Sequence, residues 1–169
     1  MIRLIGAVLV AAGGALLGFQ AAAGLRGRVR TLGQLEDGLA VLERELELNL
    51  PTLPRLLARG AARGEGAARE LFQGCVRGLE RLDREDFPTL WRRLVGELTA
   101  LDPEGQAILF PLGDTLGRYE AQRQLEVLSA ARRRLRVWSA RREADSRRKG
   151  RVYQALGLSG GAFLVILLL

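Results

Sequence analysis

Charge is nearly missing from both ends of this chain and crowded into everything between them, and that contrast limits how it can fold. From Leu4 to Leu25 the chain reads LIGAVLVAAGGALLGFQAAAGL, with Gln20 as its one strongly polar side chain. About 20 apolar residues rising 1.5 Å each span the roughly 30 Å hydrocarbon core of a bilayer, and a helix satisfies its own backbone where lipid cannot. Residues 1–25 are therefore read as an N-terminal transmembrane helix. A cleaved leader ending near Ala21-Ala22-Ala23 is the competing reading. Against it, Arg26, Arg28 and Arg30 follow at once and resist translocation. Residues 153–169, YQALGLSGGAFLVILLL, are read as a C-terminal transmembrane helix. They would cover about 25 Å if helical, and the basic run Arg147, Arg148, Lys149 and Arg151 abuts them. Both sets of flanking cations face the middle of the chain, so the positive-inside rule places residues 26–152 in the cytoplasm.

That middle reads as helix throughout. No stretch alternates with the period of two that a half-buried strand needs, whereas apolar residues recur every three to four positions. Leu32, Leu35, Leu39, Leu42 and Leu46 form one stripe, with Glu36, Asp37, Glu43, Arg44, Glu45 and Glu47 off it; Pro51 and Pro54 end that helix. A short helix over about 54–63 is expected to break at Gly60, Gly64 and Gly66. The third segment carries Ala68, Leu71, Phe72, Cys75, Leu79 and Leu82. The fourth, with Phe87, Leu90, Trp91, Leu94, Leu98 and Leu101, has Asp86 placed to cap it and Pro88 in its first turn. Asp102 and Pro103 open a fifth helix that presents Ile108, Leu109, Leu112 and Leu116 inward and closes at Gly117. A sixth, from about Glu120 to Arg151, bears Leu125, Leu128, Leu135 and Trp138 before charge takes over. The expected fold is all-α: an antiparallel cytoplasmic bundle of about six helices between two transmembrane helices.

Residue types exclude several chemistries. The chain has no histidine, one cysteine (Cys75) and one lysine (Lys149), so zinc sites, histidine-based nucleophiles and a P-loop lysine are ruled out. Cys75, among leucines at helical spacing, reads as a buried apolar residue. Glu43 and Glu47 share a helical face, but beside Glu36, Asp37 and Glu45 they read as a solvated surface and not as an acid–base pair. No cofactor and no enzymatic activity are expected. The net charge of +7 is concentrated between Gln122 and Arg151. That block suits an anionic leaflet, where each basic residue contributes about 1 kcal/mol. Nucleic acid, which would want interleaved aromatics, and an acidic protein face remain the other readings. The alternative function is thus a membrane-tethered basic helical protein that binds nucleic acid or anionic lipid.

A set of short motifs distributed end to end carries a resemblance. Arg3-Leu4-Ile5-Gly6-Ala7 and Gly18-Phe19-Gln20-Ala21-Ala22 open the chain; Leu42-Glu43-x-Glu45-Leu46 and Pro51-Thr52-Leu53 follow. Then come Leu112-Gly113-x-x-Leu116-Gly117 with Glu120 and Gln124, and Tyr153-x-x-Leu156-Gly157-x-x-x-Gly161 before Val165-Ile166-Leu167-Leu168-Leu169. Together these resemble stage III sporulation protein AB of endospore-forming bacteria. The family commonly has Asp where this chain has Glu120, and Thr-Pro-Leu where it has Pro51-Thr52-Leu53.

The resemblance implies a non-enzymatic platform or adaptor in the mother-cell membrane around the forespore, within the channel complex linking the two compartments. It implies similarity to the inner-membrane platform proteins of type II secretion and type IV pilus machines. It also implies partners: the cytoplasmic secretion-type ATPase of the same operon and other membrane proteins of the channel complex. No nucleic-acid partner is expected, and homo-oligomerisation stays open. The ATPase-facing surface is expected around Leu112, Gly113, Leu116, Gly117, Glu120 and Gln124, with an ordinary helix–Gly–helix corner as the plain alternative. Arg26, Arg28, Arg30, Arg147, Arg148, Lys149 and Arg151 are expected to flank the membrane.

Overall fold

The computed structural model describes residues 27–80 and 85–168, with side chains described as far as Asp145. Among the described residues there are six helices and no strand: α1 (27–49), α2 (Leu53–Arg63), α3 (Gly66–Leu79), α4 (Phe87–Gly96), α5 (Pro103–Thr115) and α6 (Ala121–Leu168). The chain divides into two compact units, one of them Val29–Ser139 and the other including Ala140–Leu169. The first is the helical bundle.

Each helix of the bundle buries the stripe that its sequence spacing presents. Leu32, Leu35, Leu39, Leu42 and Leu46 of α1 are all buried, as are Leu56 and Leu57 of α2 and Leu71, Phe72 and Cys75 of α3. Burial of one such leucine contributes roughly 1.5–3 kcal/mol, so the shared core outweighs any single surface contact. Helix α2 packs on α3, α3 on α4 and α4 on α5. On α6, Leu128, Ala131, Leu135 and Trp138 face the same core. Trp91, fully buried on α4, satisfies its ring N–H by donating to the carbonyl of Leu109 at 2.8 Å. Burial pushes the Cys75 thiol up to about 12, so it behaves as an inert apolar group.

Helix starts follow the expected chemistry. The Asp86 carboxylate accepts from the Thr89 N–H at 3.1 Å, and Asp102 accepts from the Gly105 N–H at 2.9 Å, each cap followed by a proline in the first turn. Two readings are corrected. Gly60 does not break α2 but lies buried inside it. A Cβ there would meet Leu42 Cδ2 at 2.6 Å and Phe72 Cδ2 at 2.9 Å, so the glycine is a place of close helix approach. And α6 does not end at Arg151: the backbone is helical to Leu168. No proline interrupts it, and each of Gly157, Gly160 and Gly161 costs the helix only about 1 kcal/mol.

Among the described residues no helix is long and apolar enough to cross a membrane. The anchor expected over 1–25, together with Arg26 and with Leu82 of the third stripe, lies outside the described residues. Residues 153–168 are helical.

Candidate functional site

The six residues expected to meet a partner lie on the corner between α5 and α6, and the structure divides them by role. Leu112 and Leu116 are core residues. Gly113 is buried against the Trp91 ring, where a Cβ would come within 2.7 Å of Cδ1. Gly117 turns the chain with φ +76 and lies so close to Leu53 that a Cβ would meet its Cδ2 at 2.8 Å. The Gln124 side chain bridges the corner: its oxygen accepts from the Gly117 N–H at 3.1 Å, and its amide donates to the Tyr119 carbonyl at 2.5 Å. Five of the six therefore build the corner. Glu120 alone is an exposed polar group, beside exposed Arg118 and Tyr119.

The corner between α1 and α2 is built differently. Helix α1 ends with the Leu50 N–H donating to the Leu46 carbonyl at 3.3 Å, and Leu50 itself adopts φ +43. Glycine usually fills this left-handed position after a helix, because a Cβ there costs about 1–2 kcal/mol. Pro51 follows and further restricts the residue before it. Leu50 is nevertheless 66% exposed, and its neighbour Leu48 is 68% exposed. Neither packing nor backbone freedom explains leucine at this place.

Beneath that corner lies a buried carboxylate that the sequence reading placed on a solvated face. Glu45 is only 2% exposed; its carboxylate accepts from Arg59 at 2.6 Å, from Arg63, and from Asn49 at 3.1 Å. The Arg59 hydrogen bond holds this carboxyl below the usual glutamate range; burial opposes the shift and the Arg63 charge adds to it. Glu45 thereby clamps α2 to the end of α1. Periodicity could not reveal this, since Glu45 sits next to the stripe residue Leu46 and only α2 supplies its cations.

The two corners belong to one end of the bundle. Contact between Gly117 and Leu53 joins them, and Arg118 reaches Asp86 at the start of α4 at 3.5 Å. Among the described residues the exposed large apolar side chains are Val29, Leu48, Leu50, Tyr119 and Val137, and three of these five lie at this end. Tyr119 is 60% exposed. Leu48 carried a legible signal, being a leucine two positions off the α1 stripe on an otherwise charged face. Leu50 did not, because its spacing from Leu46 imitates the stripe while the chain has already left the helix.

Elsewhere the charged groups pair across the surface. Arg132 lies 2.8 Å from Glu43 and Arg136 lies 2.5 Å from Glu36, so the pairing runs in opposite directions along α1 and α6. Glu36 and Glu43 are therefore not a freely solvated face as read from sequence. Arg28 and Arg30 are exposed on α1, and Arg147, Arg148, Lys149 and Arg151 lie on the helical backbone of α6. A cavity of about 460 Å³ between α3 and α4 is lined by Gly74, Gly78, Leu90 and Leu94 with Arg77, Glu85 and Arg93; Arg93 and Glu85 pair at 2.9 Å. Among the described residues no three His, Cys, Asp or Glu side chains gather where they could hold a metal.

Compared with known proteins, the chain is matched by the family model described as stage III sporulation protein AB over residues 3–169. No curated protein matches it, and no solved structure does.

Proposed function

Because the chain belongs to the stage III sporulation protein AB family, we propose that it is a membrane platform of the sporulation channel complex whose bundle docks a cytoplasmic secretion-type ATPase. The observation that carries the docking surface is the exposure of Leu48, Leu50 and Tyr119, with Glu120 next in the chain, on two corners that the close approach of Gly117 to Leu53 joins. Exposed large apolar groups held by a rigid scaffold favour protein contact. The left-handed backbone at Leu50 supports the same reading, since strain retained at an exposed side chain points to use outside the fold.

In this reading residues 1–25 and 153–169 are the two membrane helices, and the protein sits in the mother-cell membrane around the forespore with residues 26–152 on the mother-cell side. Gly14-x-x-x-Gly18 and the Gly160-Gly161 pair allow the two helices to approach closely. Arg26, Arg28, Arg30 and the 147–151 run then meet anionic headgroups, each contributing about 1 kcal/mol. The chain contributes position and anchorage; hydrolysis belongs to the ATPase.

Co-purification of the full chain, in detergent, with the ATPase encoded beside it tests the surface. Leu48→Glu with Leu50→Glu is expected to abolish capture, and Glu120→Arg to weaken it. Undiminished capture by both variants removes the site; no capture by the wild-type chain removes the docking role. Anchorage is tested separately, by whether the chain sediments with membranes after cell disruption without detergent.

A further inference from the structure

The arginines of α6 fall into two groups that the sequence run does not distinguish. Arg132 and Arg136 turn toward α1 and are neutralised by Glu43 and Glu36. Arg133 and Arg134 are exposed, turned away from the core side of the helix, with no hydrogen bond or ion pair to any described side chain. Between them in the helical lattice stands Val137, 51% exposed, four positions after Arg133 and three after Arg134. Residues three and four apart share a helical face, so these three side chains form one outward patch. Leu128, Ala131, Leu135 and Trp138, buried in the core, occupy the other side of the same turns.

The pattern has a period. In the sequence Ala130, Val137 and Ala144 recur every seven residues, and so do Arg134, Arg141 and Arg148. Around Val137 the positions three and four away are Arg133, Arg134, Ala140 and Arg141, with no acidic residue from 133 to 141; an apolar group flanked by charge of one sign suits another helix, the flanking charges selecting the partner. We infer that the outward face of α6 at Arg133, Arg134 and Val137 docks an acidic α-helix of another protein. A second copy of this chain is disfavoured, because α6 against α6 would set arginine against arginine. A bilayer is also disfavoured, since interfacial helices bury Trp, Phe or Leu and this face offers one valine. Nucleic acid would want aromatic side chains among the arginines, and the face has none. This surface is separate from the ATPase-docking corner, and it stands whether or not that corner is used.

The test uses the full chain in detergent and a fluorescein-labelled amphipathic peptide with Leu and Glu in heptad register, read by anisotropy. Wild-type protein should bind it in a salt-dependent way, and Arg133→Glu with Arg134→Glu should weaken binding at least tenfold. The matching peptide with Lys in place of Glu should bind that variant better than it binds wild type, which a merely misfolded variant would not do. Val137→Ala should cause a smaller loss. Equal binding by wild type and the double variant overturns the inference, as does no binding of the acidic peptide. So does arginine-dependent capture of phosphatidylglycerol vesicles or duplex DNA in place of the peptide.

Discussion

Two corners meet at one end of the bundle, and they solve the same problem in opposite ways. At α5–α6 the chain turns on Gly117, which has no Cβ to strain at φ +76 or to press into Leu53, and Gln124 satisfies the backbone that the turn exposes. At α1–α2 a leucine takes the comparable left-handed position with its side chain in solvent, and a buried Glu45 clamp holds the helices together beneath it. The turn of the first corner carries no backbone strain. The second keeps a strained backbone at an exposed Leu50, the difference expected if, as proposed, this side chain serves contact and not folding.

The comparison can be broken most forcefully at Gly117. Gly117→Ala adds left-handed strain and a clash with Leu53, and should destabilise by about 2–4 kcal/mol, measured by urea unfolding followed through Trp91 and Trp138. Next comes the Glu45 clamp. Because hydrogen bonding lowers its carboxyl in the folded chain, the ionised group contributes stability above the unfolded glutamate value of about 4.3. That contribution is lost as pH falls through the lower folded value. Amides of α2 should then exchange faster at acid pH than those of the α5–α6 corner, and Glu45→Gln should give the faster α2 exchange at neutral pH as well. Gln124→Ala removes two hydrogen bonds from the glycine corner and should cost about 1 kcal/mol, with quicker exchange at Gly117. The smallest effect has the opposite sign. Leu50→Gly relieves the left-handed penalty against the entropic cost of glycine, a net gain of about 0.5–1 kcal/mol, while ATPase capture falls. A Leu50→Gly chain that is less stable, or that docks as well as wild type, would erase the distinction between the corners.

Much of the bundle was legible residue by residue. The α1 stripe, the Asp86 and Asp102 caps and the closing role of Gly117 are local properties, set by spacing within one turn or by a side chain reaching its own backbone. Gly60 was misread because a glycine in a short helix looks like a breaker until Leu42 and Phe72 are seen to press on it. Glu45 was misread for a related reason. A carboxylate beside other carboxylates looks solvated, and its arginines lie 14 and 18 residues away. At the α5–α6 corner the spacing of Leu112, Gly113, Leu116 and Gly117 is local, but the close approach of Trp91 to Gly113 and of Leu53 to Gly117 comes from distant parts of the chain.

From residue order alone came the division into apolar ends and a helical middle, the number of helices, their start points, and the absence of histidine, which removes whole classes of chemistry. These follow from periodicity, capping and side-chain inventory, which act over a few residues. Tertiary packing settled which charges are buried, which arginines are neutralised, and which leucines are left in water at the joined corners. Those outcomes depend on side chains brought together from distant parts of the chain, and no local pattern encodes which partner will arrive.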